Sequence, residues 1–142
     1  MKNEIDIQIK VPNQTRYLSL IGRIGEDLAL QLQGFKGDRE DLANQLNVVL
    51  TEAMVNAIRH ANAGDPDKEV DIRITIGDNE LLLQVFDQGQ GFDLNSIQDP
   101  GFEGEELLET GGRGIYIIRT LMDSVVYRRI PGGNVLEMRK RL

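Results

Sequence analysis

The segment from Val70 to Gly91, VDIRITIGDNELLLQVFDQGQG, predicts the centre of the fold. Apolar and polar residues alternate from Val70 to Ile76, which is typical of a strand with one buried face. Gly77-Asp78-Asn79 then predicts a hairpin turn. The run from Leu81 to Phe86 is almost continuously apolar, so we expect the second strand of this hairpin to be central in a sheet.

Strands and helices are also predicted on both sides of this hairpin. Alternating polarity predicts strands over 4–11 and near 125–130 and 135–139. Helical periodicity predicts three helices: one over 16–33, one that begins at an Asp38 cap and runs to about Asn62, and one over 114–122. Pro131-Gly132-Gly133 joins the last two strands as a second hairpin. We therefore expect an α+β fold, a two-layer α/β sandwich with a mixed, mostly antiparallel sheet and helices on one face. Residues 1–142 are predicted to form a single domain.

The composition excludes several kinds of function. The chain has no cysteine, which excludes disulfides, thiol nucleophiles and thiolate metal sites, and its formal net charge of −7 argues against direct nucleic-acid binding. No stretch approaches the roughly 20 apolar residues that span a bilayer, and the N-terminus has no apolar signal core. We expect a cytoplasmic protein that is not membrane-bound. A basic cluster near the end is interpreted as a solvated strand face: Arg128, Arg129, Arg139, Lys140 and Arg141.

Glu52 and Asn56 are the polar residues of interest on the second predicted helix. They are four residues apart, hence about one turn apart on one face, and they fall between two apolar patches. A partly buried carboxylate needs a partner, a cation or a catalytic task. The structural alternative is that Glu52 pairs with an arginine and Asn56 bonds to the backbone. His60 continues the spacing, but we interpret it as a satisfied histidine at the helix end.

Two glycine segments follow. Asp87, Gly89 and Gly91 come directly after the central strand, where a carboxylate could accept a hydrogen bond from an exocyclic amine and glycines let the backbone approach a flat ligand. Thr110-Gly111-Gly112-Arg113-Gly114 precedes the last helix and could present free N–H groups to a phosphate. A plain tight turn is the alternative for the first segment, and a flexible hinge with a helix cap for the second.

The segment between the glycine motifs, residues 93–109, is acidic and contains no lysine or arginine. A solvated segment is the default interpretation. A lid that closes over a nucleotide is the functional alternative.

The order of these motifs resembles the GHKL ATPase superfamily, which includes gyrase, the histidine kinases and MutL and shares the Bergerat fold. Two stretches resemble a narrower group, the anti-sigma factor serine/threonine kinases of the RsbW and SpoIIAB type: TEAMVNAIRH at 51–60 and GGRGIYII at 111–118. The resemblance covers nearly the whole chain. Each motif is weak by itself, and the ordered set at this length is specific.

The resemblance implies a role for each matching residue. Asn56 would bind Mg²⁺ and Asp87 the adenine amino group of ATP, while Glu52 would be the general base for an attacking hydroxyl. The glycines, with Thr110 and Arg113, would complete the ATP site: Gly89 and Gly91 at the adenine wall and the start of the lid, and Gly111, Gly112 and Gly114 around the phosphates. Many relatives have serine at the position of Gly111 and an apolar residue at that of Arg113, so these two residues depart from the pattern.

The resemblance also implies partners. A kinase of this group phosphorylates a serine on an anti-anti-sigma protein of the STAS type and sequesters a sigma factor, and its first strand can form a homodimer edge. The alternative is a non-catalytic module whose binding of another signalling regulator depends on ATP. A degenerate domain that binds no nucleotide is disfavoured by the intact set of Glu52, Asn56 and Asp87.

Overall fold

The computed structural model describes residues 4–77, 79–89 and 112–142. These residues form five strands and three α-helices: β1 Ile5–Pro12, α1 Leu18–Leu30, α2 Arg39–Val55, β2 Glu69–Ile76, β3 Glu80–Asp87, α3 Gly112–Leu121, β4 Ser124–Ile130 and β5 Gly133–Arg141. A 3₁₀ turn over Thr15–Tyr17 leads into α1, and a π-helix over Asn56–Ala61 continues α2. Every predicted element within the described residues is present, with boundaries shifted by a few residues.

The five strands form one sheet in the order β1-β2-β3-β5-β4. All four pairings are antiparallel, which confirms the mostly antiparallel sheet. In the central hairpin, Ile76 of β2 lies opposite Leu81 of β3, and the pairing continues to Asp71 opposite Phe86. Strand β3 is the middle strand, as its apolar run predicts. Strands β1 and β4 form the two edges within the described part of the chain.

The hydrophobic core lies between the helices and one face of the sheet. Val70, Ile72, Ile74 and Ile76 of β2 are buried, whereas the residues that alternate with them are only partly buried. Helices α1 and α2 pack closely at Gly25, where a Cβ atom would lie 2.6 Å from Cδ1 of Leu50. The α+β sandwich with its helices on one face is thereby confirmed, and the contact at Gly25 fixes α2 against α1.

Helix α2 carries Glu52, the π-helix that continues it carries Asn56, and hydrogen bonds define both ends of this combined helix. Asp38 caps the N-terminus as predicted, since its Oδ1 accepts from the Glu40 N–H at 2.9 Å. At the other end the helix widens, and the Asn62 N–H donates to the Ala57 carbonyl, five residues earlier, at 2.8 Å. Such π-helical turns occur frequently at functional sites.

The basic cluster near the C-terminus lies on β4 and β5. Arg128 forms an ion pair with Glu137, and Arg139 pairs with Glu80 at 2.7 Å, with both arginines about half exposed. These ion pairs support the interpretation as a solvated strand face. In the described part of the chain, no helix combines the length and apolar character needed to cross a bilayer.

Candidate functional site

Glu52 and Asn56 meet the first turn of α3. The Asn56 amide nitrogen donates to the Glu52 carbonyl oxygen at 2.9 Å, which fixes the orientation of the amide. A Cβ atom at Gly114 would lie 2.6 Å from Glu52 Oε2 and 3.2 Å from Asn56 Nδ2. The absence of a side chain at Gly114 therefore lets the start of α3 approach both Glu52 and Asn56.

The structural alternative, in which Glu52 pairs with an arginine and Asn56 bonds to the backbone, holds for Asn56 and, among the described residues, not for Glu52. Asn56 does bond to backbone, as that alternative predicted, while Glu52 forms no ion pair with an arginine within residues 4–77, 79–89 and 112–142. Asn56 is 3% exposed and Glu52 is partly buried. A carboxylate in this setting is available for a ligand or a proton.

A cavity of about 350 Å³ opens over this pair. Its lining combines acidic, amide and basic groups with two apolar side chains: Glu52, Val55, Asn56, Arg59, His60, Arg113, Gly114 and Ile117. Arg59 was not predicted as a site residue. The signal was present, because 52, 55, 56 and 59 share one face of a helix.

His60 also lines this cavity, although the sequence analysis interpreted it only as a hydrogen-bonded histidine at the end of the helix. Its partial burial, together with the neighbouring Arg59 guanidinium, lowers the pKa of His60 below its ordinary value. This shift favours the neutral form of the imidazole at pH 7. A neutral imidazole adds no positive charge to a cavity that already contains Arg59 and Arg113.

Asp87 ends the central strand and is 4% exposed. Its Oδ1 accepts from the Gly89 N–H at 3.0 Å and from the Asn134 amide at 2.9 Å, and its Oδ2 accepts from the Tyr127 hydroxyl at 2.7 Å. Three donors compensate the burial of this carboxylate. The sequence predicted Asp87 but neither Tyr127 nor Asn134, because their proximity depends on strands that are distant along the chain.

Gly89 joins the end of β3 to the end of the π-helix. A Cβ atom at this position would lie 1.6 Å from the Ala61 carbonyl oxygen, so the two backbones are in direct contact. Close by, the Gln88 N–H donates to Asn62 Oδ1 at 2.8 Å. The helix that carries Asn56 and the strand that carries Asp87 are therefore held together at one place.

A buried amide network supports this junction. Asn62 is fully buried and donates to Asn13 Oδ1 at 3.0 Å and to the Glu69 carbonyl at 3.2 Å. Asn13 in turn donates to the Asp65 carbonyl at 3.0 Å. Fully satisfied networks of this kind rigidify the backbone around them.

Several predicted site residues lie outside the described residues: Gly91, Thr110, Gly111 and the acidic segment 93–109. Gly112 begins α3, and Arg113 is exposed in its first turn. The structure thus brings together Glu52, Asn56, Arg113 and Gly114, with Asp87 and Gly89 at the neighbouring junction.

This donor set fits an adenine nucleotide with a divalent cation. An asparagine amide supplies the hard oxygen ligand that Mg²⁺ prefers, and the start of a helix suits phosphate. The described residues contain no group of three or more histidine, aspartate or glutamate side chains able to bind a metal ion. Mg²⁺ commonly takes only one or two protein ligands together with substrate phosphates, which suits a site of this composition.

Comparison with known proteins gives a consistent result. Residues 11–140 match the family described as histidine kinase-like ATPase domain. The chain is 34% identical over 142 residues to the serine-protein kinase RsbW of Bacillus subtilis (strain 168), an alignment that covers 95% of this chain and 86% of that protein.

Two further relatives carry the same name. The serine-protein kinase RsbW of Bacillus licheniformis is 32% identical over 149 residues, covering 100% of this chain and 89% of the relative. The protein of that name in Listeria monocytogenes serovar 1/2a is 31% identical over 125 residues, covering 84% and 76% respectively. The predicted family resemblance is confirmed.

Proposed function

This chain belongs to the family of histidine kinase-like ATPase domains, and from that membership we propose that it is an ATP-dependent protein serine kinase acting on a small regulatory protein. One observation carries the proposal. The first turn of α3 lies against both the Glu52 carboxylate and the Asn56 amide, so a proton acceptor and a cation ligand meet where phosphate would bind.

Asn56 is proposed as the protein ligand of Mg²⁺. One N–H of its amide donates to the Glu52 carbonyl, which orients the side chain, and the amide oxygen is the atom that would bind the cation. An aspartate here would add a charge, and a leucine would remove the ligand. Bound ATP with Mg²⁺ would supply the transferable phosphoryl group.

Glu52 is proposed as the general base. Its Oε2 lies at the start of α3, and a carboxylate there can orient a serine hydroxyl and accept its proton. The apolar side chains of Val55 and Ile117 line the same cavity. Arg59 and Arg113 supply positive charge along the same lining, which suits a triphosphate.

The remaining predicted residues are assigned to nucleotide binding. Asp87 would accept from the adenine amino group, with Gly89 and Gly91 beside the base. Thr110, Gly111, Gly112 and Gly114 would surround the phosphates, and the acidic segment 93–109 would be the lid. The buried carboxylate of Asp87 and the glycine contact at residue 89 support the adenine end of this assignment.

We extend the proposal to partners. The serine substrate would be an anti-anti-sigma protein of the STAS type, and a sigma factor would be sequestered, as in the anti-sigma kinases that the sequence resembles. The edge strand β1, paired on one side with β2, is proposed as the contact of a homodimer. Sedimentation velocity over a range of protein concentrations tests this contact, and a monomer throughout would contradict it.

The kinase activity is tested with ATP labelled in the γ-phosphate. The protein is incubated with Mg²⁺ and a purified STAS-type partner from the same organism, and phosphoserine is located by mass spectrometry. We expect label on one serine of the partner and none when that serine is replaced by alanine. ATP-dependent complex formation without any phosphoserine would favour the non-catalytic binding module instead.

A further inference from the structure

Asp87 is held by side chains from two other strands. Asn134 is its register partner on β5, and Tyr127 of β4 pairs with Leu136, two residues further along β5. Residues two apart on a strand face the same side of the sheet, so Tyr127, Asn134 and Asp87 converge on the face that carries the helices. Their contacts are side-chain hydrogen bonds of 2.7 and 2.9 Å.

The Asn134 amide uses both of its N–H groups in this arrangement. One donates to Asp87 Oδ1 and the other to the Gly89 carbonyl at 3.1 Å, while the Gly89 N–H donates back to Oδ1. Asn134 therefore holds both ends of the turn from Asp87 to Gly89. The preceding Gly133 makes this approach possible, because a Cβ atom there would lie 1.9 Å from the Asp87 carbonyl oxygen.

The hydrogen bonds leave a defined acceptor capacity. A carboxylate offers about four acceptor positions, two on each oxygen. Gly89 and Asn134 occupy both positions on Oδ1, and Tyr127 occupies one of the two on Oδ2. Counting donors from the described residues, one acceptor position on Oδ2 remains, and its direction is fixed by the Tyr127 hydroxyl.

We propose that Tyr127 and Asn134 are positioning residues that set the selectivity of the site for a purine nucleotide with an amino group at C6. A single oriented acceptor matches one N–H of such an amine. In a purine with a carbonyl oxygen at C6, that oxygen and Asp87 Oδ2 would be two acceptors facing each other. In a purine with only a hydrogen at C6, Oδ2 would lack a hydrogen-bond donor. This inference rests on the proposed function, since it concerns the residue that would bind the base.

Tyr127→Phe is the most informative variant, because it removes one hydroxyl and keeps the ring that packs against the core. Binding of ATP, inosine triphosphate and purine riboside triphosphate is measured by calorimetry with the 142-residue chain. We expect the wild type to bind ATP at least about tenfold more tightly than purine riboside triphosphate, which lacks the amino group. In Tyr127→Phe this ratio should fall to about threefold or less, with little change in the affinity for purine riboside triphosphate.

Two further variants complete the design. Asn134→Ala should reduce the same ratio through the other oxygen of Asp87. Tyr17→Phe is the matched control, since Tyr17 lies in the turn before α1 with its ring against Arg16, and its ratio should equal that of the wild type. Because each ratio is taken within one variant, a general loss of stability cancels; thermal unfolding verifies that each variant is folded.

The outcomes separate this inference from the proposed function. A wild type that discriminates, with an unchanged ratio in Tyr127→Phe and Asn134→Ala, overturns the positioning role and leaves the kinase proposal intact. A wild type that binds ATP and purine riboside triphosphate equally shows that Asp87 does not select the amino group, and it also overturns the inference. No binding of any of the three nucleotides overturns both.

Discussion

Glu52 is a partly buried carboxylate on the same helical face as the amide of Asn56, and a side chain at Gly114 of another helix would collide with both. At the scale of single residues, this geometry supports the two different roles that the family resemblance implies for Glu52 and Asn56. The amide is oriented by a hydrogen bond and suits a static ligand role. The carboxylate has no ion-pair partner in the described part of the chain, and it suits a role in proton transfer.

Glu52→Gln should therefore abolish phosphotransfer and retain ATP binding. Glutamine keeps the size and the polarity of the side chain but cannot accept the proton, so we expect the rate to fall at least about 100-fold. The measurement is the initial rate of partner phosphorylation, with the Kd for ATP measured in parallel. Glu40→Gln, in the exposed first turn of α2, is the control. A rate within a few-fold of the wild type would rule out Glu52 as the base.

His60 gives a prediction on pH dependence. Its pKa is lowered by burial and by Arg59, so the folded protein binds this proton less readily than the unfolded chain does. Its contribution to the free energy of unfolding is therefore fully present above the unfolded-state pKa of about 6.5 and is lost as the pH falls through that value towards the folded pKa. His60→Asn should flatten this part of the stability–pH curve.

The chain has a single histidine, so the titration can be read directly by NMR in tag-free protein. We expect a midpoint below about 6.5 in the wild type. In Arg59→Gln the midpoint should rise, because the repulsion from the guanidinium is removed. A wild-type midpoint above the ordinary value would contradict the burial of this side chain.

At the scale of secondary-structure elements, the decisive contact joins the end of β3 to the π-helix. Gly89 touches the Ala61 carbonyl, and Gln88 bonds to Asn62. The widened turn places Asn62 beneath the strand end, with its N–H bonded five residues back to Ala57. This junction fixes the relation between the proposed adenine end and the proposed phosphate end of the site.

Gly89→Ala should strongly destabilise the protein. The added methyl group would lie 1.6 Å from a backbone oxygen, which cannot rotate away, so we expect a loss of about 3 kcal/mol or more of unfolding free energy. Gly77→Ala is the matched control. Within the described part of the chain no neighbouring atom lies within 4 Å of a Cβ atom at Gly77, so the change should be within about 1 kcal/mol of the wild type.

Urea denaturation of both variants provides the measurement. Equal stabilities for Gly89→Ala and Gly77→Ala would contradict the contact between the two backbones. A selective loss in Gly89→Ala, accompanied by weaker ATP binding, would connect the junction to the nucleotide site.

At the scale of the whole molecule, the candidate site is built from both layers of the sandwich. Asp87 comes from the central strand of the sheet, whereas Glu52, Asn56 and Gly114 come from the helices. A ligand that contacts both layers binds the folded chain and not the unfolded one. Binding should therefore raise the stability of the fold as a unit.

ATP with Mg²⁺ at 100 times its Kd should add about 2.7 kcal/mol to the free energy of unfolding. For a chain of this length that corresponds to a rise of roughly 9 °C in Tm. Differential scanning calorimetry with and without nucleotide gives the measurement, and ATP with EDTA should give a smaller rise. An unchanged Tm at saturating ATP and Mg²⁺ would contradict nucleotide binding altogether.

Local sequence pattern determined much of the fold. Alternation in Val70–Ile76 and the apolar run of Leu81–Phe86 predicted the central hairpin, because strand periodicity depends only on neighbouring residues. Asp38 predicted the start of α2 for the same reason. The spacing of Glu52 and Asn56 predicted their common face, and the order of the motifs predicted the family.

Tertiary structure decided what depends on residues distant along the chain. Tyr127 and Asn134 reach Asp87 only because β5 lies between β3 and β4, a strand order that no local pattern contains. The contact of Gly89 with Ala61 likewise depends on a π-helical turn, which the helical periodicity had continued as an ordinary helix. Sequence alone thus determined the elements and the candidate polar and glycine residues that they carry. Packing across the sheet decided which of these residues contact one another.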